Sequence, residues 1–410
     1  MATIQLRHIG PIADSGSIHL TQVMLFIGRQ SSGKSTFLKI LCFCRWLEKQ
    51  IMVSSENVVA LYTHNMKFLK SLKQFYRFSD SYFAEDSEIL YDGDVVRIEL
   101  KGANNNARIH PKTGFGDNRY NTKLGFIPSE RNLMSAVRNI DQAYRSSEND
   151  VLFNYIFEWN EAKDGYTASS PKHLSFMDGM EYVNDDGRDS VRLPDRKTVI
   201  PVFYASSGVQ SAMPLDVMTD YLTGLVGKNA RFSWHDITKS LSRHMEKNGH
   251  VTQEFLSDFN SRNRYESVQL FIEEPEQNLY PESQRKLILE IISALKRAGQ
   301  NGEKESIAVM TTHSPYVLSV LNVLMIWTAA VEQRPDDERL LSLIGSEYLL
   351  PLSAYSAYYI NEDGTFADIV DKEIPMISGN DLDGVSDWVD DSIAQINSIM
   401  YGEDEVCRSI

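Results

Sequence analysis

Nine residues, Gly28-Arg29-Gln30-Ser31-Ser32-Gly33-Lys34-Ser35-Thr36, constrain this chain more than any other stretch. They fit the spacing GxxxxGK[ST], follow the apolar run Val23-Met24-Leu25-Phe26-Ile27 and precede the helical period of Phe37-Leu38-Lys39-Ile40-Leu41. A strand, a glycine-rich turn and a helix in that order aim successive backbone N–H groups at phosphate oxygens, with the positive end of the helix dipole behind them. Gly28, Gln30, Ser31, Ser32, Gly33 and Thr36 are the expected cradle; Lys34 would reach the β- and γ-phosphates, and the Ser35 hydroxyl would ligate Mg²⁺.

At 410 residues the chain has room for two or three average domains or one large α/β unit. A content of 42% hydrophobic and 24% charged residues is that of a soluble globular protein. No continuous apolar run of 18 residues stands out as a bilayer span, and the start Met-Ala-Thr-Ile-Gln-Leu-Arg lacks a basic region followed by an apolar segment, so a cytoplasmic protein without a membrane partner is expected. Of the three cysteines, Cys42 and Cys44 stand two apart on one helix and face different ways; with Cys407 they are read as packing residues rather than a disulfide or zinc site.

The net charge of −15 is unevenly spread: residues 361–410 hold 13 Asp/Glu against 2 Lys/Arg. Nucleic acid is therefore not excluded as a partner of the rest. Lys101, Arg108, Lys112, Arg119 and Lys123 share one Gly/Asn-rich stretch with only Asp117, which reads either as a basic loop touching phosphates or as a solvated hairpin tip.

In chain order, residues 1–30 suggest a β-hairpin, with Ile4–Ile9 and Ser17–Leu20 alternating around a turn at Asp14-Ser15-Gly16, which would carry the adenine side of the site. A helix covers Thr36 to Trp46, and strands Glu88–Tyr91 and Val95–Leu100 flank the turn Asp92-Gly93-Asp94. Leu124 to Ile127 reads as a buried strand ending at Pro128, followed by a helix from about Asn132 to Tyr144. Glu130 and Arg131 at that strand end are candidates for a nucleotide-sensing loop, or else an exposed ion pair at the helix start. Residues 151–197 look polar and partly helical, with a loop at Asp185-Asp186-Gly187 and no sustained heptads. Ser206-Ser207-Gly208 precedes an apolar-periodic helix and forms a second anion-binding helix start.

The run Val268 to Ile272 leads directly into Glu273 and Glu274. Paired acids there lie at the carboxyl edge of a parallel sheet and are costly unless they serve an ion or a proton. Pro281 to Arg297 is an amphipathic helix, Ile307 to Thr312 a further buried strand ending at His313, and Tyr316 to Leu321 a helix. The tail adds a hairpin over Ala357–Val370 and a helix with apolar positions at Val385, Val389, Ile393, Ile396 and Met400.

In this order the parts resemble the ABC-type ATPases that include the RecF and SMC groups. Phe271-Ile272-Glu273-Glu274-Pro275-Glu276 with Leu279 and Pro281 is similar to the EEPExxLHP pattern of RecF-like ATPases. Ile127-Pro128-Ser129-Glu130-Arg131 and Ser206 to Gln210 resemble the OLD-like ATPases of bacterial anti-phage systems. The resemblance implies an α/β head with a mostly parallel central sheet, an N-terminal antiparallel β-subdomain and helical insertions. As a single domain over 1–410, it divides into a β-region with the phosphate loop (1–128), a helical lobe with the signature and an insertion at 226–265 (129–265), a core (266–360) and an acidic tail (361–410). It implies ATP and Mg²⁺ as cofactors, Lys34, Glu274 and His313 as catalytic residues, Ser35 and Glu273 at the metal, and Ser207 and Gly208 reaching the γ-phosphate held by a second copy. The sequence departs from the pattern where Glu273 replaces a usual Asp, where the signature lacks the leucine and second glycine of LSGGQ, and where Tyr280 replaces a histidine.

The function so implied is an ATP-gated dimer, or a higher oligomer built on it, that serves a prokaryotic anti-phage complex, senses nucleic acid or a phage product, and controls a separate effector such as a nuclease. The alternative is a RecF-like or SMC-type DNA repair ATPase; a transporter ATPase fits the motifs least. Asp381-Leu382-Asp383 has the letters of a TOPRIM nuclease but follows the turn-like Ser378-Gly379-Asn380, so the nuclease is expected on a partner.

Overall fold

The computed structural model describes residues 2–53, 57–113, 120–137, 140, 150–193, 198–229, 264–371, 374–379 and 392–393. Its strands are β1 (Thr3–Ile9), β2 (Ile12–Asp14), β3 (Ile18–His19), β4 (Val23–Gly28), β5 (Phe83–Asp92), β6 (Val96–Lys101), β7 (Arg108–Pro111), β8 (Asn121–Ile127), β9 (Lys172–His173), β10 (Glu181–Asp185), β11 (Arg188–Leu193), β12 (Thr198–Pro201), β13 (Tyr265–Glu273), β14 (Ile307–Thr312), β15 (Tyr355–Ile360) and β16 (Phe366–Asp368). The helices are α1 (Lys34–Val53), α2 (Val58–Tyr62), α3 (Lys67–Tyr76), α4 (Leu133–Ala136), α5 (Val151–Lys163), α6 (Ser207–Thr223), α7 (Pro281–Asn301), α8 (Pro315–Gln333) and α9 (Glu338–Ile344).

The central sheet runs β16-β15-β4-β14-β13-β8, and all its pairings are parallel except that of β16 with β15. The buried strands supply apolar side chains to both faces, which is why they read as continuous hydrophobic runs. Val23, Leu25 and Ile27 of β4 enter the core beneath α5–α8, while Met24 and Phe26 enter the core shared with α1 and the N-terminal sheet. On β13, Val268, Leu270 and Ile272 face the first core and Phe271 the second, the two-residue period of a strand. The expected α/β architecture, with a mostly parallel core and an antiparallel N-terminal sheet (β2-β1-β5-β6-β7, with β3 also on β1), is the one found.

Several details differ from the expectations. The first tight turn lies at Gly10-Pro11 rather than at residues 14–16: β1 pairs with β2 across Ile9 and Ile12, and Gly10 takes a φ of +52°. Within residues 151–197, read as polar and partly helical, Val151–Lys163 is the helix, and residues 172–201 form a four-stranded antiparallel sheet, β12-β11-β10-β9, which was not expected. Its central hairpin turns on Asp186-Gly187, both at positive φ, the dipeptide favoured in two-residue hairpin turns. The polar strand residues Arg188, Asp189, Ser190 and Arg192 hide the alternation. After Pro128 the chain forms a 3₁₀ turn (Ser129–Asn132) and the four-residue α4, and Val137 is extended, so the expected helix is interrupted there; its residues 138–139 and 141–144 lie outside the described residues.

The helix starting at Pro315 extends to Gln333, beyond the expected end at Leu321. Among the described residues α8 is long and apolar enough to cross a membrane by length and composition, with half of its apolar window buried in the fold. Residues 230–263 of the insertion, most of the tail helix, Asp381-Leu382-Asp383 and Cys407 lie outside the described residues. Cys42 and Cys44 are buried free thiols, and burial pushes both thiol pKa values up.

Helix α6 lies close against β8 because Gly125 leaves room: a Cβ there would sit 2.3 Å from Leu222 Cδ1 and 3.5 Å from Leu270 Cδ2. Gly125→Val is expected to destabilise the fold by about 1–3 kcal/mol through overpacking. Thermal unfolding checks this; an unchanged midpoint would mean that the helix sits further from the strand.

Candidate functional site

Parallel register brings the functional ends together. Thr312 pairs with Ile27 and Glu273 with Thr311, so Gly28, His313 and Glu274 each stand one residue beyond, at a single carboxyl edge. The phosphate loop leaves β4 at this edge. Gly28 and Gly33 adopt φ of +155° and +109°, and a Cβ at Gly28 would meet Ile360 O at 2.9 Å, one at Gly33 Ile12 Cγ1 at 2.8 Å. Only glycine relieves both conformation and contact. Gln30 and Ser31 are exposed, Ser31 with φ +64°, while Ser32 and Ser35 are half-buried and Thr36 is buried.

Lys34, the first residue of α1, is 5% exposed, and its Nζ donates to the carbonyls of Gly28 and Arg29, each at 2.7 Å. Burial lowers its pKa to about 8, against the opposing pull of Glu274 and Glu276. A cation held by carbonyls rather than by a carboxylate remains free to meet an anion. His313 Nε2 lies 3.6 Å from Glu274 Oε1. Burial and then Lys34 push the His313 pKa down, while Glu274 and a hydrogen bond with the Gly28 backbone act the other way. Lys34, Glu274, His313 and Gly28 therefore form one electrostatic unit.

Glu273 is buried at the end of β13; its Oε2 accepts the Ser129 N–H at 3.2 Å, and its Oε1 lies 3.6 Å from Lys39 Nζ without accepting a hydrogen bond. Ser32 Oγ is likewise buried without a hydrogen-bond partner. A buried oxygen left without one is costly. Glu273 Oε1, with no hydrogen bond of its own, thus suits Mg²⁺, which takes few protein ligands and completes its shell with phosphate oxygens and water. No group of three or more His, Cys, Asp or Glu side chains suited to a metal occurs among the described residues.

Sequence reasoning singled out Glu130 and Arg131 without separating their roles. Glu130 is exposed and takes the Ser129 hydroxyl, whereas Arg131 is 0% exposed, so the exposed ion-pair alternative is corrected. Glu276, Asn278 and Lys39 join the site without having been expected there from the sequence. Glu276 is half-buried; its Oε1 accepts the His313 N–H at 2.7 Å, and desolvation raises its pKa. Its signal was its place as the third acid of Glu273-Glu274-Pro275-Glu276.

Among the described residues, Ser207 and Gly208 make no direct hydrogen bond or ion pair with Lys34, Glu274 or His313. Ser207 is exposed, and Gly208 faces Asn278, whose carbonyl oxygen would be 3.0 Å from an added Cβ. Ser206 caps α6 by accepting the Val209 N–H, and Gln210 holds the Val202 and Phe203 carbonyls. In the basic stretch, Lys101 pairs with Glu88, Lys112 with Asp92 and Lys123 with Glu158; Asp117 and Arg119 lie outside the described residues.

Residues 269–319 match a family model described as AAA domain, putative AbiEii toxin, Type IV TA system. The matched segment carries Glu273, Glu274, Glu276 and His313, and with the phosphate loop beside it supports an ATPase of the AAA class. No curated protein matches the chain. Among solved structures, the SMC head domain from Thermotoga maritima is similar at 12% identity with a TM-score of 0.34, covering 90% of this chain and 97% of that one. An SMC head bound to the C-winged helix domain of ScpA is similar at 11% identity with a TM-score of 0.36, covering 90% and 96%.

Proposed function

We propose that this chain binds and hydrolyses ATP with Mg²⁺ as an ATP-gated dimer. In this reading it is the cytoplasmic, OLD-like ATPase subunit of a prokaryotic anti-phage complex, responding to nucleic acid or a phage product and controlling a separate effector such as a nuclease. The observation that carries the enzymatic part is the meeting of Lys34, Glu274 and His313 around Gly28 at one sheet edge. The defence part draws on the motif resemblance and on the matched model's description as a toxin domain.

The loop amides and Lys34 bind and orient the phosphates, and Mg²⁺, held with Ser35 and Glu273, would neutralise charge on their oxygens. Glu274 polarises the attacking water and takes its proton as the bond from the γ-phosphorus to the ADP oxygen breaks. His313, kept neutral by burial and Lys34, offers a hydrogen bond to the γ-phosphate. Positioning and charge placement of this kind supply most of the catalysis in phosphoryl transfer.

The dimer part draws on the outward-facing start of α6. Ser207 is exposed, and so are the nearby Phe203, Tyr204 and Tyr280, at 40%, 65% and 77%. An exposed helix N-terminus with aromatic neighbours suits the triphosphate and surface of a second copy. Ser207→Trp should leave ATP affinity within about twofold, because among the described residues Ser207 makes no hydrogen bond or ion pair with the phosphate loop of its own chain, and should abolish ATP-dependent dimerisation. Light scattering with and without ATP checks this; a variant that dimerises like the wild type would remove the role of Ser207. Hydrolysis itself is tested by phosphate release from the purified protein with ATP and Mg²⁺, which the proposal expects and whose absence would refute it.

A further inference from the structure

We infer that Arg131 is a positioning residue that couples the Ser207-Gly208 end of α6 to Glu274, so that engagement at one nucleotide is felt at the carboxylate serving the other. This rests on the ATPase reading above and deepens it. Arg131 is fully buried, yet it forms no ion pair among the described residues. Its guanidinium instead spends its donors on four backbone carbonyls. Nε donates to Ser211 at 3.0 Å, Nη1 to Pro128 at 3.2 Å and Glu273 at 2.6 Å, and Nη2 to Glu274 at 2.5 Å.

Removing a guanidinium from water is costly, and a core needing only stability is served as well by an apolar side chain. Burial accordingly pulls the Arg131 pKa down. What the planar fork offers is a fixed angle between acceptors on separate elements. Here those elements are the end of β8, the turn after β13 and the fifth residue of α6.

Both faces of this bridge lead to functional groups. Glu274 has a φ of +45°, a left-handed conformation that a glutamate adopts only when its surroundings hold it there. Its N–H donates to Thr311 O at 2.9 Å and its carbonyl is held by Arg131, so the backbone on both sides is clamped with the carboxylate toward His313. On the other side, Asn278 Nδ2 donates to Ser211 Oγ at 2.8 Å, and the Asn278 carbonyl lies against Gly208. A displacement of α6 on docking a second copy's nucleotide is thus delivered through Ser211 and Arg131 to the Glu274 carbonyl.

The test compares nucleotide binding, steady-state hydrolysis and thermal unfolding of wild type, Arg131→Ala and Arg131→Lys, with Mg²⁺-ATP as ligand and with and without sub-denaturing guanidinium. Arg131→Ala should bind ATP with KM within about twofold of wild type. Its kcat should fall about 30-fold, the range for outer-shell partners of an active group, and its Hill coefficient should drop toward that of independent sites. Guanidinium should restore part of kcat in Arg131→Ala. Arg131→Lys, which keeps the charge but not the fork, should show the same directions and supplies the measurement if the alanine variant does not fold. Wild-type kcat and Hill coefficient in either variant overturn the inference. So does loss of binding, hydrolysis and unfolding temperature together without rescue, which assigns Arg131 a purely structural role. Absence of hydrolysis in the wild type itself refutes the ATPase reading instead.

Discussion

Glu274→Gln is expected to reduce ATP turnover about 1,000-fold, within the range for removing a positioned general base, while leaving ATP bound and the dimer closed. The amide is isosteric, so the clamped backbone at φ +45° and the approach to His313 at 3.6 Å survive. What is lost is the negative charge that orients water and accepts its proton. Ground-state contacts to the phosphates come from the loop and Lys34, so nucleotide affinity should hold or rise, as it does when only a transition-state interaction is removed. Single-turnover phosphate release and equilibrium binding of a fluorescent ATP analogue separate the two quantities. Turnover within a few-fold of wild type would show that another group activates the water.

Lys34→Ala should weaken ATP binding about 100-fold and abolish hydrolysis. A buried ammonium that meets phosphate in a water-poor site is a charged hydrogen-bond donor whose truncation costs about 3 kcal/mol. Without nucleotide, Lys34 sits between the Gly28 and Arg29 carbonyls, and burial keeps its pKa near 8. A polyanion would restore the preference for the charged form, and the alanine forfeits that gain. Calorimetric titration with Mg²⁺-ATP checks this; unchanged affinity would remove the site from the phosphate loop.

The legible parts of the fold were those whose signal is carried by apolar side chains. Val23 to Ile27 and Ile307 to Met310 are buried on both faces and read as unbroken hydrophobic runs, and Val268 to Ile272, equally buried, is interrupted only by Gln269. The residues closing each run were legible for the same reason, since Glu273, Glu274 and His313 are costly ends for buried strands. The sheet over 172–201 was not, because each half-exposed strand mixes Arg, Asp and Ser with Tyr182, Val183 and Val191. Only the Asp186-Gly187 turn marked it. The role of Arg131 was hidden for a different reason. Its acceptors are main-chain carbonyls of residues up to 143 positions away, and no side-chain pattern records which carbonyls a fold will bring together. Gly125 is similar, a missing Cβ whose meaning depends on the approach of Leu222.

The central claim is that ATP, held by Lys34 and its loop in one copy, is completed by the Ser207-Gly208 edge of another. The most direct measurement is the solution mass of Glu274→Gln by light scattering with Mg²⁺-ATP, with Mg²⁺-ADP and without nucleotide. The account predicts twice the mass of the nucleotide-free form with ATP alone, reverting when Lys34→Ala is added to the same chain. An identical mass in all three conditions, with ATP shown to be bound, would contradict it.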